Sequence, residues 1–583
     1  MEKEQKGTVN MNKKDVIRTL EQIAIYMEIK GENPFKISAY RKAALALESD
    51  ERTLDELGDP ALLKGIGKGT AEVITELRDS GRSSLLEELK EQVPAGLIPL
   101  LQLPGLGGKK IAKLYQELGV VDVTTLKEAC EQKKVQALAG FGKKTEEKIL
   151  EAIAEAEHRP ERLPIAFVLP IAEEIEEQLK EIDEIQRFSR AGSLRRLRET
   201  VKDLDYIIAT EQPDRVREQL LGLNHMSKVI ANGQTKVSIE FSYDYPISVD
   251  FRLVKDNEFA TTLHHFTGSK EHNVKLRQIA KKRGEKISEY GVENSETGEV
   301  LIFESEEAFF NHFGLRYIPP EAREDQGEVE AFGVENDYSL IDIKDIRGDL
   351  HMHTTWSDGA YSIEEMAEAA RARGYEYIAI TDHSKFLKVA NGLTEERLRE
   401  QHERIRKLNE SYDDFTILTG IEMDILPDGT LDYEDELLQE VDFVIASIHS
   451  SFSQKRETIM ERLKTALMNN HVDLIAHPTG RLIGRRSGYD VDLDLLIELA
   501  KETNTALELN ANPNRLDLAP EWLKKAQDQG VVLSINTDSH TKDTFGFMEY
   551  GVGVARKGLV RAETVLNTWP LERLQQFLRR QQS

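Results

Sequence analysis

From Ile346 onward the chain repeats one unit: a short apolar run, a side chain able to bind a metal, then a helical stretch. The runs are YIAITDH, FTILTGIEMDI, DFVIASIHS, VDLIAHP, TALELNA and VVLSINTDSH, with helical segments such as EEMAEAARARG and LLIELAKET between them. Apolar runs of this length fit parallel strands covered on both faces, and parallel neighbours require crossovers, usually helical. Strand–helix repetition of this kind predicts an α/β barrel. Polar residues sit just past the carboxyl end of nearly every strand, where such barrels keep their active sites.

Those polar residues are of one chemical kind. His351 and His353 end a strand and Asp358 follows; then come His383 in TDHS, Glu422 in TGIEMD, His449 in SIHS, His477 in AHPTG, and Asp538 with His540 in TDSH. Six of the chain's 14 histidines lie at these positions. A lone histidine is usually a packed or surface residue, the expectation for His402 and His471. Nine ligand-type side chains, one or two per successive loop, do not arise from packing alone. Mixed imidazole and carboxylate donors suit Mn²⁺, Zn²⁺ or Fe²⁺ better than Mg²⁺ or Ca²⁺. The set suffices for two to three ions, with Glu422 placed to bridge. Arg485 and Arg486 in IGRRSGYD read equally well as phosphate ligands and as a solvated rim.

With 583 residues the chain is expected to hold two to four domains. No segment approaches the roughly 18 uninterrupted apolar residues of a membrane span. The start, MEKEQKGTVNMNKKD, carries charge without an apolar core and does not read as a secretory signal. The single cysteine, Cys130, cannot build an internal disulfide framework and fits a reducing compartment. A cytoplasmic, nucleoid-associated monomer with no membrane partner is the expectation. The net charge of −27 would repel phosphate if spread evenly. Basic residues nevertheless cluster at Arg187, Arg190, Arg195, Arg196, Arg198 and Lys202, and again from Lys275 to Lys286. Charge alone decides nothing, because such runs are commonly solvated helix faces.

The first 155 residues read as short amphipathic helices joined by glycine turns. Three times an apolar residue is followed by a glycine pair and a helix: LLKGIGKGTAEVI, LQLPGLGGKKIAKLY and LAGFGKKTEEKIL. The pairs Gly65/Gly67, Gly105/Gly107 and Gly140/Gly142 permit a tight turn, and the following helix offers free N–H groups to an anion. This resembles the helix-hairpin-helix motif, which implies sequence-independent contact with DNA phosphates.

Between about 160 and 255 the pattern turns β-rich. In RFSRAGSLRRLRETVKDLDYIIA, Asp203 and Asp205 stand two apart entering a strand, so both project from one side. Asp250, in ISVDFRLV, supplies a third carboxylate from a strand able to lie beside the first. Three clustered carboxylates repel unless divalent cations neutralise them, and two Mg²⁺ or Mn²⁺ ions are what nucleotidyl transfer uses. Upstream, Gly192-Ser193 opens a turn suited to a triphosphate, with Arg196 assisting.

This order of motifs resembles the family X polymerases of the nucleotidyltransferase superfamily, to which DNA polymerase beta belongs, across roughly residues 10–320. The resemblance implies that Asp203, Asp205 and Asp250 bind the catalytic metals, and that Gly192, Ser193 and Arg196 bind the incoming nucleoside triphosphate. A second signature, HFTGS, is present as His265, Phe266, Thr267, Gly268 and Ser269, followed by Asn273 and Arg277. It implies contacts of His265, Phe266, Gly268, Ser269 and Asn273 with the nucleotide, and of Arg277 with DNA. His265 replaces the Tyr common in animal members, and Ser248 stands where many relatives carry Arg. Several relatives also remove a 5′-deoxyribose phosphate through a lysine Schiff base. Here Val73 occupies that position and cannot form an imine. Lys36, Tyr40, Arg41 and Lys68 remain as expected 5′-phosphate contacts.

The C-terminal nine-residue set resembles the PHP domain, the polymerase and histidinol phosphatase family, over about residues 346–575, with every ligand position filled. That implies phosphoester hydrolysis at a site holding Mn²⁺ or Zn²⁺. The expected fold is multidomain: an α-helical helix-hairpin-helix N-terminal region, an α+β nucleotidyltransferase palm with thumb, and an α/β, distorted TIM-like PHP barrel. The expected boundaries are 1–90, an N-terminal helical DNA-binding domain; 91–155, a fingers-like region; 156–260, the palm; 261–320, the thumb; 321–345, a linker; and 346–575, the PHP domain.

The leading functional expectation is a template-directed DNA polymerase that fills short gaps with deoxynucleoside triphosphates and trims unpaired 3′ ends. Gapped or primer-template DNA would be its partner, and abasic-site cleavage stays open. The alternatives are a barrel that hydrolyses a small phosphate and a barrel that serves only as scaffold. Tethering both sites to one substrate favours the first reading.

Overall fold

The computed structural model describes residues 13–578, apart from 49, 51–53, 55, 56, 104, 105 and 158–161. Gly105 of the second glycine turn therefore lies outside the described residues. One compact unit comprises the described residues up to 157 with the segments 353–366 and 388–393; the other described residues form the second.

In the first unit, helices Lys13–Lys30, Pro34–Glu48, Lys68–Ser80 and Ser84–Gln92 enclose one apolar core that includes Leu20, Ile23, Tyr40, Val73 and Ile74. Helices Gly108–Leu118, Val123–Glu131 and Lys143–Glu157 enclose a second, which buries Cys130. Local chemistry sets the ends. The Ser83 hydroxyl accepts from the Leu86 N–H at 3.3 Å and the Asp122 carboxylate from the Thr125 N–H at 2.8 Å. Gly81 and Gly119 close their helices in the left-handed conformation.

The palm is a five-stranded mixed sheet made of β1 (Arg187–Arg190), β2 (Asp203–Ala209), β3 (Met226–Asn232), β4 (Lys236–Ser242) and β5 (Pro246–Val254), in the order β1-β2-β5-β4-β3. Burial alternates strictly along β5: Ile247, Val249, Phe251 and Leu253 face the core, which sends Asp250 to the opposite face. The thumb follows, with helices Phe259–Thr267 and Lys270–Lys282, a small antiparallel sheet within 285–301, and helix Glu306–His312.

Residues 321–345 are not the spacer that their acidic composition suggests. Ala322, Val329 and Phe332 belong to the thumb core with Leu276, Phe309 and Phe310. Arg323 and Glu328 are buried, the first paired with Glu306 at 2.6 Å and the second with His272 at 2.8 Å. Charges that read as solvated have buried partners far away in sequence, so the segment packs.

The barrel contains seven parallel strands in sequential order: β6 (Gly348–Asp349), β7 (Tyr377–Ile380), β8 (Thr416–Asp424), β9 (Phe443–Ser447), β10 (Leu474–Ile475), β11 (Ala506–Asn510) and β12 (Leu533–Asn536). A parallel bridge between Met352 and Ser539 brings the first strand to the last. The strands are buried throughout, in keeping with their unbroken apolar runs. Among the described residues no helix is long and apolar enough to cross a membrane.

Candidate active sites in the palm and at the barrel rim

In the palm, β2 and β5 run parallel with Asp205 opposite Asp250 and Asp203 opposite Ser248. Register thus gathers the three carboxylates on one face. Burial, with Asp203 and Asp250 beside it, pushes Asp205 up to about 7. Lys236 reaches Asp250 at 2.6 Å and Arg252 also acts on Asp205, but two cations do not balance three carboxylates. The donor set therefore fits divalent cations. Gly192 has a φ of +59°, and a Cβ there would stand 2.2 Å from the Asp205 carboxylate, so only glycine lets the turn approach the acid this closely.

Other nucleotide-site candidates already hold structural bonds. The Arg196 guanidinium donates to the Thr267 carbonyl and pairs with Glu324 at 3.1 Å. Ser269 caps helix Lys270–Lys282, and the Asn273 amide donates to the His265 carbonyl at 2.9 Å. Phe266 lies under the Arg252 guanidinium, 3.6 Å from its ring centre. Ser193 and His265 are partly exposed on the same segments, and Arg277 is exposed.

At the carboxyl ends of the barrel strands, three overlapping groups could each hold an ion: His353, Asp358, His383 and His540; His351, His353 and Asp538; and His383, Glu422 and His449. Glu422 is central. Its carboxylate lies 3.4 Å from His351, 2.9 Å from His383, 3.3 Å from His449 and 2.8 Å from His477. Four imidazoles around one buried carboxylate is the chemistry of a shared, bridging ligand. All nine predicted positions thus converge, and His402, as expected, is a packed residue facing the Gly420 carbonyl at 3.2 Å. Arg486 donates to the Gly480 carbonyl at 3.0 Å and lies 4.1 Å from the Phe452 ring centre, and both Arg485 and Arg486 are exposed.

The sequence reading missed the residues behind these. Glu508, on β11, is fully buried; it pairs with His351 Nδ1 at 2.7 Å and accepts from the His477 N–H at 2.7 Å. Asp424, two residues after Glu422, faces His449 Nδ1 at 3.3 Å. Such carboxylates fix which imidazole nitrogen faces the ion. The available signal was an acid inside an apolar strand, as in TALELNA.

In the helical unit, Gly67 and Gly107 sit at the first turns of their helices and Gly142 immediately precedes Lys143–Glu157. Gly65 and Gly140 have positive φ. Lys36, Arg41 and Lys68 are exposed, although Arg41 pairs with Glu28 at 2.8 Å. The Tyr40 ring packs in the core with Ala43, Ala44 and Leu47, which leaves the hydroxyl as the part of the side chain that could meet a phosphate.

A carboxylate-bearing palm and thumb, carried in one chain with a ligand-lined α/β barrel, define a nucleotidyltransferase joined to a metal-dependent phosphoesterase. Family patterns match accordingly: Helix-hairpin-helix domain at 11–83, SAM-like Helix-hairpin-helix tandem at 97–155, DNA polymerase beta thumb at 262–324 and PHP domain at 349–538. The sequence is 63% identical over 570 residues to "DNA polymerase/3'-5' exonuclease PolX" of Bacillus subtilis (strain 168), covering 98% of this chain and 100% of that protein. The chain belongs to the PolX family. Part of the chain is similar to a "Probable phosphatase" of Acetivibrio thermocellus, 30% identical over 241 residues, which is 40% of this chain and 95% of that one. Another of that description, from Shewanella pealeana, is 29% identical over 244 residues, 40% of this chain and 91% of that protein.

Proposed function

We propose that the chain fills short gaps in DNA as a template-directed polymerase and resects unpaired 3′ ends with its barrel, as a 3′–5′ exonuclease. The observation that carries this is the presence, in one PolX chain, of both a complete carboxylate triad and a complete nine-residue donor set. In the palm, Asp203, Asp205 and Asp250 would hold Mg²⁺ or Mn²⁺, which neutralise charge on the attacking and leaving oxygens. Gly192 and Ser193 would offer the triphosphate a backbone turn, and Arg196 a guanidinium. In the barrel, the imidazoles, Asp358, Asp538 and Glu422 would hold two to three Mn²⁺ or Zn²⁺ ions, which supply hydroxide near neutral pH. Glu508 and Asp424 keep His351 and His449 oriented, and the exposed Arg485 would be free to meet a substrate phosphate. Gapped DNA, a mismatched primer and histidinol phosphate, each offered to the purified protein with Mn²⁺, separate this reading from a small-phosphate hydrolase and from a scaffold. The reading requires gap extension and mismatch trimming.

Two further outcomes are expected. Glu508→Gln keeps the shape of the side chain but removes the charge that orients His351. Metal affinity at the barrel should fall by about 10–100-fold, read by titrating the metal-free protein with Mn²⁺. On the helical unit, exposed Lys36, Arg41 and Lys68 should favour a 5′-phosphorylated gap over an open primer-template. The expected preference is on the order of tenfold, about 1.4 kcal/mol. No 5′-deoxyribose phosphate release is expected, since Val73 is buried in the core and carries no amine. A covalent adduct trapped by borohydride would overturn that.

A further inference from the structure

We propose that the barrel helix Met548–Lys557 positions the nucleotide-binding turn of the palm, with Lys557 as the positioning residue, so that the phosphoesterase domain sets the polymerase's affinity for its nucleotide. Three contacts converge on the residues around Arg196. The buried Lys557 ammonium donates to the Leu197 carbonyl at 2.8 Å. Leu197 itself is held at a φ of +49°, a conformation that a branched side chain rarely adopts without support. Its side chain fills the space left by a missing Cβ at Gly553, where a methyl group would come within 2.1 Å of the Leu197 tip. Glu324 then ties the layers together, 3.1 Å from Arg196, 3.6 Å from Arg198 and 3.9 Å from Lys557.

The consequence for the nucleotide runs through Arg196. Its guanidinium also donates to the Thr267 carbonyl, beside the Gly268 turn. One side chain therefore links the two segments expected to hold triphosphate and sugar, and its partner Glu324 is shared with Lys557 of the barrel. Beside it lies a cavity of about 390 Å³ lined by Arg198, Glu199, Glu324, Arg481 and Lys557, among others. Its charges answer one another: Arg481 pairs with Glu199 at 2.6 Å and Glu324 with the cations above. The network thus fits a buttress rather than a pocket for an anion.

The proposal rests on the reading of Arg196 as a triphosphate ligand, so the experiment includes Arg196→Ala. Single-nucleotide gap filling by the full-length protein would give KM for the nucleotide and kcat, with 3′ trimming measured alongside. Lys557→Met keeps the unbranched stem of the side chain up to Cε but removes the donor. It should raise the nucleotide KM about five- to tenfold, with kcat within roughly twofold of the parent and trimming retained. Gly553→Ala, which pushes on Leu197, should move KM in the same direction. If Lys557→Met does not accumulate as folded protein, Gly553→Ala decides alone. A KM unchanged in the barrel variants but raised by Arg196→Ala overturns the positioning role and leaves the reading of Arg196 intact. An unchanged KM in Arg196→Ala overturns both, through Arg196 rather than through the helix. A joint fall of kcat and trimming in the barrel variants would mean general packing and also overturn the proposal.

Discussion

Asp205→Ala is expected to abolish extension on gapped DNA while 3′ trimming continues. The loss should be at least about 10³-fold, equivalent to ~4 kcal/mol of barrier, because the substitution removes both a negative charge and a metal ligand at the reacting centre. Folding should not suffer. Asp205 is pushed up to about 7 by burial and by Asp203 and Asp250, so its ionised form is a cost to the metal-free fold. The sign follows from linkage: a carboxyl raised in the folded state binds more protons there than when unfolded. Its contribution to stability therefore falls as pH rises from the unfolded value near ~3.9 to about 7. Above that range Asp205→Asn should melt no lower than the parent in metal-free buffer, and higher if the repulsion dominates. Normal extension by Asp205→Ala would remove the triad from the mechanism. An equal loss of trimming would mean that the two sites are not separable.

The parts of the sequence that carried the most information were those with a fixed period. Asp203 and Asp205 are two apart on a strand, and the alternation along β5 places Asp250 on the matching face, so the triad follows from pattern plus pairing. Parallel strands likewise end at one rim of the barrel, and each histidine that directly followed an apolar run belongs there. What stayed hidden depends on distant partners. Arg323 and Glu328 look like solvated charges until Glu306 and His272, from elsewhere in the chain, are seen beside them. Glu508 sits within an apolar strand, and its partners His351, the His477 N–H and Asn536, all distant in sequence, explain an acid there. Tyr40 reads as a phosphate contact by motif, and that its ring also packs in the core with Ala43, Ala44 and Leu47 has no local signal. Lys557 has no local signal at all, since its partner is a carbonyl 360 residues away in sequence.

The double variant His351→Ala/His353→Ala should lose 3′ trimming by at least about 10³-fold and still extend a matched primer. His353 belongs to two of the three candidate ion groups and His351 to one of these two, so the pair should take at least one ion from the barrel. Elemental analysis of the purified variant should show that loss beside an unchanged palm. His351→Ala also leaves the Glu508 carboxylate buried without its imidazole, a cost of about 1–3 kcal/mol to the barrel. Asn536 still donates to Glu508 at 3.0 Å and the His477 N–H at 2.7 Å, which limits the damage. His353→Ala alone avoids that penalty and should give most of the trimming defect, separating lost metal from lost packing. A mismatched 3′ terminus should then stay uncut and block further synthesis, because the donor set proposed to hydrolyse it has lost its ions. Trimming at the parental rate in both variants would place the nuclease outside this donor set, and the barrel would have to be read as a small-phosphate hydrolase or as a scaffold for the polymerase.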